Sequence, residues 1–277
     1  MDIPRRPSPH PSHNPDLDSA RGTFREALAA LRNLSTLVRA RKVGPKAILD
    51  MVPDVRAACV RLSEAAQTVF DAIEPELDRD CVAELKTFLG DCCAELATEL
   101  SSAEQGSMNA RQRLHLEESL EKALAGLDAT RALLALLECA VYEQTLPIDP
   151  VELLRQTYSG PPSGGHVRTM IGARITGDGR DVPVTKPRTL VALIACGLEL
   201  LAQGGPTGTP LITVGSDAAT WSVGLELSAE SRGEQLSIWG YGVVPPTLHC
   251  LRAAATRLGA ELVWTPEAPM MRLLGRR

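Results

Sequence analysis

The stretch that decides the fold is Leu-Ser-Ile-Trp-Gly-Tyr-Gly-Val-Val-Pro-Pro, residues 236–246. An apolar, strand-like run passes through Gly240 and Gly242 into two prolines, and a helix-like run follows at residues 247–259. Glycine permits the backbone conformations of tight turns, and proline is well tolerated in the first turn of a helix. The pattern therefore predicts a strand, a turn and a helix in that order. Two short strands are predicted after them, at residues 261–265 and 270–274.

This order of elements resembles the end of the ATPase domain of histidine kinases. In that family the strand carries Asp-x-Gly-x-Gly-Ile-Pro, and the next helix ends in Leu-Gly-Gly. Here Gly240 and Gly242 match the two glycines, Val243 matches the isoleucine, and Leu258-Gly259 matches the helix end. The place of the aspartate falls on Ile238, whose side chain cannot accept a hydrogen bond from the adenine amino group. The resemblance therefore implies the fold, with the ligand chemistry absent at this point.

A second stretch, residues 144–158, resembles the linker and first helix with which the same ATPase domain opens. It holds a proline and then an acidic, apolar Val-Glu-Leu-Leu run. The resemblance covers residues 77–277. Between the two stretches the pattern predicts a helix at residues 185–203. Strands are predicted at residues 167–175, 211–214, 220–227 and 235–239, which together indicate an α/β sandwich with helices on one face of a mixed sheet.

Composition limits the class of protein. The chain has 277 residues, of which 44% are hydrophobic and only 3% aromatic, and this favours helices built on Leu, Ala and Val. The formal net charge of −5 argues against binding to nucleic acid by bulk electrostatics. No apolar run reaches the roughly 18 residues of a membrane span, and the polar, proline-rich start does not read as a signal peptide. We therefore expect a cytoplasmic protein that binds neither nucleic acid nor membrane.

The seven cysteines predict no metal site and no disulfide framework. None forms a C-x-x-C pair, their number is odd, and most fall on apolar faces of predicted helices. Buried free thiols behave as small apolar side chains. We therefore expect reduced cysteines in the core.

The N-terminal half is predicted to be helical. Residues 1–16 hold five prolines and are expected to form a disordered or extended tail. Apolar residues then recur at intervals of three and four along four long segments. Pro53 either kinks the second segment or marks its true start. The four helices are predicted at residues 17–41, 46–73, 77–100 and 109–142.

The third and fourth helices have a short connection and are expected to form an antiparallel hairpin. Their apolar stripes exceed what one hairpin can cover, so a second hairpin must supply the rest. It could be the first pair of helices of the same chain or a second copy of the chain. The resemblance favours the second copy, which makes the chain a homodimer with an intermolecular four-helix bundle. The interface would consist of Leu85, Leu89, Cys92, Leu96, Leu120, Leu124, Leu127 and Leu134.

The groups that the chemistry of the family requires are missing. The acceptor histidine should lie on the first helix of the hairpin, where residues 77–100 contain none, and His115 reads as a solvent-facing residue of the next helix. The place of the asparagine that holds Mg²⁺ falls at or near Gly197, and Glu199 is one carboxylate without partners. The glycine-rich lid is also absent, because the chain passes directly from Pro246 into a helix.

The sequence thus predicts an α+β protein: an N-terminal bundle of long helices, residues 17–143, and an α/β sandwich of the histidine-kinase ATPase type, residues 148–277. We expect no enzymatic activity, no cofactor and no metal. The expected role is that of a pseudokinase adaptor or regulator in a two-component-type pathway. Its partner would be a receiver domain, a kinase or a transcription factor. Two alternatives are a histidine phosphotransferase, which the lack of histidine in residues 77–100 disfavours, and a nucleotide-binding kinase with unorthodox ligands.

Overall fold

The computed structural model of the protein describes most of the two predicted parts. Of the predicted N-terminal tail, residues 1–14 lie outside the described residues, and residues 15 and 16 belong to the first helix. The described ranges are residues 15–40, 42–105, 109–144, 146, 149–158, 174–177, 186–204, 209–216, 220–228, 246–265 and 270–276.

The first part of the chain is a bundle of long helices, as predicted. The predicted second helix is in fact two helices, because Pro53 lies in the first turn of the longer one and marks its start. The predicted third helix continues five residues further, to Gln105. The helices are α1 (Pro15–Arg39), α2 (Pro45–Leu49), α3 (Val52–Ile73), α4 (Arg79–Gln105) and α5 (Ala110–Tyr142), with a 3-10 turn Glu74–Glu76 between α3 and α4.

The bundle closes within one chain. Helix α1 packs along α3 and α5, and α4 packs along α5 and α3, so α1 and α3 form the second hairpin. The residues of the predicted dimer interface therefore lie in the interior of the single chain. This is the alternative in which the first pair of helices of the same chain covers the apolar stripes. An intramolecular bundle and an intermolecular bundle bury the same apolar stripes of α4 and α5. The stripes alone therefore do not show which of the two bundles forms. Of the predicted interface residues, Cys92 and Leu124 are half-buried and the others are buried: Leu85, Leu89, Leu96, Leu120, Leu127 and Leu134.

Polar groups fix the ends of the helices in the bundle. Asn109 and Gln112 cap the start of α5 reciprocally, each side chain accepting from the other residue's backbone N–H. The guanidinium of Arg113 donates to four backbone carbonyls at and beyond the C-terminal end of α1, where helix carbonyls lack partners. These acceptors are Val38 (2.6 Å), Ala40 (2.6 Å), Val43 (3.0 Å) and Leu37 (3.2 Å).

The second part is a mixed five-stranded sheet with helices, which confirms the predicted α+β class. The strand order is β1-β2-β3-β5-β4; β1 and β2 are parallel, and the other neighbours are antiparallel. The predicted strand at residues 235–239 lies outside the described residues. The elements are α6 (Pro150–Tyr158), β1 (Arg174–Gly177), α7 (Pro187–Gly204), β2 (Thr209–Ser216), β3 (Thr220–Ser228), α8 (Thr247–Arg257), β4 (Ala260–Thr265) and β5 (Met270–Arg276).

The two parts form layers, with α7 and α8 between the sheet and α5. Successive side chains of β5 point to opposite faces of the sheet: Met271 and Leu273 are buried on the inner face, whereas Arg272 and Leu274 are exposed on the outer face. Gly275 is also on the inner face, and a Cβ atom there would lie 2.0 Å from Cε2 of Trp221, its partner on β3. Among the described helices, none combines the length and the apolar character needed to cross a membrane.

Candidate functional site

The positions predicted to correspond to the lost nucleotide site are only partly described. Ile238, Gly240 and Gly242 lie outside the described residues. Gly197 lies in α7 and faces the sheet: a Cβ atom there would come within 2.0 Å of Met271 Cε and 3.1 Å of Leu225 Cδ1. A larger side chain at this position, asparagine included, would displace the side chains of the sheet. Glycine at 197 is therefore explained by close packing of the helix on the sheet.

Helix α7 is covered on both sides. One side packs on β3 and β5, and the other packs on α5 and α8. Between residues 187 and 201, Arg188 is the one exposed residue. Glu199, the carboxylate that lies near the predicted place of the Mg²⁺-holding asparagine, is only 3% exposed. This stretch of α7 thus offers almost no open surface to a ligand.

The start of α7 is attached to the end of α5 by polar contacts. The Glu143 carboxylate accepts from the backbone N–H groups of Arg188 and Thr189, both at 2.7 Å, and from the Thr189 hydroxyl at 2.8 Å. Lys186 donates to the carbonyl of Ala140 at 2.6 Å, and burial lowers the pKa of this lysine. A carboxylate at a helix N-terminus and an ammonium at a helix C-terminus both match the helix dipoles. The attachment therefore fixes how α7 leaves the bundle.

A pocket of about 400 Å³ opens where α8 meets the start of α4. Two pairs of side chains join α8 to the segment around the start of α4: Arg257 forms an ion pair with Glu76 of the 3-10 turn at 3.0 Å, and His249 Nδ1 lies 3.2 Å from the Glu84 carboxylate on α4. The pocket leaves no signal in the sequence, because its walls come from segments about 170 residues apart, with no local motif in either. Its lining includes Glu76, Asp78, Cys81, His249, Arg252 and Arg257.

Two cysteines meet beside the pocket. The Sγ atoms of Cys81 on α4 and Cys250 on α8 lie 3.6 Å apart and share a hydrogen bond, with the side chains 2% and 0% exposed. The hydrogen bond with Cys250 lowers the pKa of Cys81, although burial and the carboxylates of Asp78 and Glu84 act in the opposite direction. The same hydrogen bond, together with burial, raises the pKa of Cys250 well above its ordinary value. The contact between the two sulfur atoms thus favours the thiolate form of Cys81 over that of Cys250.

His115 lies near the start of α5 and faces solvent. Its side chain is 58% exposed, with Nδ1 4.0 Å from the Glu118 carboxylate one turn along. In the described part of the chain, no group of three or more His, Cys, Asp or Glu residues is placed to hold a metal ion.

No family model matches the chain, and no curated protein sequence matches it. Among solved structures, the chain is similar to the Acinetobacter baumannii histidine kinase AdeS, with 13% identical residues and a TM-score of 0.40. The similarity covers 67% of this chain and 94% of that chain. At this TM-score and identity it assigns neither a function nor site residues.

Proposed function

We propose that this protein is a non-catalytic relative of the histidine kinases. It acts as an adaptor or regulator in a two-component-type pathway, by binding a protein partner in the cytoplasm. The observation that carries the proposal is the burial of α7. This helix corresponds to the one on which the family, by the resemblance stated above, places its Mg²⁺-holding asparagine. Its residues 187–201 are enclosed between the sheet and the bundle, with Arg188 alone exposed.

Phosphoryl transfer depends on positioning and charge stabilisation around an aligned donor and acceptor. Here a nucleotide approaching α7 would have to separate the helix from α5. That separation would break the three hydrogen bonds to Glu143 and the one from Lys186. The same contacts suit a protein that presents one fixed arrangement of bundle and sheet to a partner, such as a receiver domain, a kinase or a transcription factor.

Self-association is a separate part of the proposal. The homodimer predicted from the sequence would have to use a surface other than the stripes of α4 and α5, since α1 and α3 cover them. Light scattering during size exclusion measures it directly. A mass near the chain's own 29.7 kDa at micromolar concentration would contradict the dimer.

Titration calorimetry with a non-hydrolysable ATP analogue and Mg²⁺ tests the absence of nucleotide binding. We expect no saturable heat from the full chain, while an active histidine-kinase ATPase domain in the same buffer gives a complete isotherm. Saturable binding tighter than about 100 μM, roughly −5.5 kcal/mol, would contradict the proposal and favour the kinase with unorthodox ligands.

One observation favours the histidine phosphotransferase: His115 is exposed on the bundle, with a carboxylate one turn away. Under the proposed function, replacing His115 with Gln leaves pathway output in cells unchanged. The control is Glu118→Gln on the same face. If His115→Gln abolished the output at normal protein abundance while the control did not, phosphotransfer would become the better assignment.

A further inference from the structure

We propose that Cys81 and Cys250 form a peroxide-sensitive thiol pair, in which Cys81 is oxidised first and Cys250 then closes a disulfide between α4 and α8. Their sulfur atoms are already 3.6 Å apart. A disulfide bond is about 2.05 Å long, so closing it requires the sulfurs to approach by about 1.5 Å. The inference does not depend on the proposed adaptor function.

The surroundings separate the roles of the two thiols. Cys81 lines the pocket between the start of α4 and α8, whereas Cys250 is fully buried behind it. Glu76, Arg252 and Arg257 of the pocket are exposed, so the pocket communicates with solvent. A molecule as small and polar as hydrogen peroxide can therefore reach Cys81 before Cys250.

The electrostatics agree with this order. The thiolate is the form that attacks an oxidant, and its access and pKa set the rate. Contact with Cys250 favours the thiolate of Cys81 and disfavours that of Cys250. Elsewhere burial works against reactivity, since it raises the pKa of Cys59 and of Cys196 to about 12 and that of Cys92 to about 11.

The chemistry balances with hydrogen peroxide as the oxidant. The Cys81 thiolate attacks one peroxide oxygen, an S–O bond forms, the O–O bond breaks, and the released hydroxide takes a proton to become water. Cys250 then attacks the Cys81 sulfur, an S–S bond forms, the S–O bond breaks, and the leaving hydroxide takes the Cys250 proton. Overall two thiols and one peroxide give one disulfide and two waters, and a dithiol reductant reverses the change.

The disulfide would join the bundle to the sheet domain across 169 residues of sequence. The junction would then be held by a covalent bond in addition to its hydrogen bonds and ion pairs. Closing so long a loop reduces the freedom of the unfolded chain. Peroxide would thus fix the relative position of the two parts, and a reductant would release it.

The test treats the native, full-length protein with hydrogen peroxide and maps the products by mass spectrometry without reduction. We expect one dominant cross-linked peptide pair, containing Cys81 and Cys250. In Cys250→Ser, a sulfenic acid should form and persist on Cys81, where dimedone captures it. Dimedone labelling of Cys81 during peroxide treatment should be at least about tenfold faster than that of Cys196, because peroxide oxidises the thiolate form. The urea midpoint of the wild type should rise on oxidation and return after dithiothreitol, whereas that of Cys250→Ser should not rise.

The matched control is Cys92→Ser, which alters a half-buried cysteine of the same helix and should leave the cross-link intact. Cys81→Ala keeps an apolar side chain at this site and should give neither the cross-link nor a rise of the urea midpoint. A wild type that gives no Cys81–Cys250 cross-link while folded would overturn the proposal. The same holds if dimedone labels Cys92 ahead of Cys81 in Cys250→Ser, or if the cross-link forms only after unfolding in urea.

Discussion

The interior of the helical bundle and the junction between the bundle and the sheet domain are held together by different interactions. Inside the bundle, Leu31, Leu62, Leu85 and Leu120 are fully buried, and each such side chain contributes about 1.5–3 kcal/mol. At the junction, polar contacts stand beside the apolar packing: the Glu143 cap of α7, the Arg257–Glu76 and His249–Glu84 pairs, and the Cys81–Cys250 contact.

This difference separates stability from geometry. Apolar burial is non-directional and tolerates many arrangements, so it holds the bundle together without specifying its attachment to another domain. Hydrogen bonds to helix termini require particular distances and angles. The junction therefore fixes the orientation of α7 and α8, and it is where a change in bonding can alter the relation of the two parts.

The largest expected effect comes from charging the bundle interior. In Leu120→Glu a carboxylate replaces a side chain with 0% exposure and no partner charge is supplied, so we expect a loss of about 4 kcal/mol or more, enough to unfold many domains. Far-UV circular dichroism during urea unfolding measures it. Leu120 also belongs to the predicted dimer interface, so the outcome bears on both closures of the bundle.

The matched control is Leu114→Glu on the same helix. Leu114 is 54% exposed, so its change should stay within about 0.5 kcal/mol. If Leu120→Glu instead gave a stable, folded monomer from a wild-type dimer, the stripe would be an interface between chains and the intramolecular closure would be refuted.

The sequence predicted the helical part well because the apolar spacing of helices is local. Residues such as Leu85 and Leu89 identified the stripe, but the partner that covers it depends on the whole chain, so the closure could not be deduced. Gly197 shows a different limit. The resemblance assigned it to the place of a lost ligand, whereas its contact with Met271 explains the glycine by packing. The contact of Cys81 with Cys250 depends on tertiary structure and has no sequence signal.

A smaller effect is expected from removing the cap at the junction. Glu143→Ala deprives two backbone N–H groups and the Thr189 hydroxyl of their acceptor, and loss of a helix cap costs about 0.5–2 kcal/mol. Hydrogen–deuterium exchange should accelerate in the first turn of α7 and remain unchanged in the middle of α5. The control Glu118→Ala removes an exposed carboxylate from α5 and should alter neither. Equal acceleration in both helices of Glu143→Ala would mean that the cap supports the whole fold and not the junction alone.

The smallest expected effect comes from the ion pair between Arg257 and Glu76, whose side chains are 37% and 54% exposed. Exposed pairs contribute about 0.2–1 kcal/mol, because solvent screens them and ordering two long side chains costs entropy. A double-mutant cycle with Arg257→Gln and Glu76→Gln should give a coupling free energy in that range, falling towards zero in 1 M salt, where the Debye length is about 3 Å.

The matched control is a double-mutant cycle on the Lys122–Glu95 pair of the bundle surface, whose side chains are 46% and 50% exposed. It should give the same coupling free energy. Equal coupling free energies would show that surface ion pairs act alike in the bundle and at its junction with the sheet domain. The difference between these two regions would then lie in the helix cap and the buried contacts. A coupling above about 2 kcal/mol for Arg257–Glu76 alone would contradict this, since it exceeds what a screened pair supplies and would make charge part of the attachment itself.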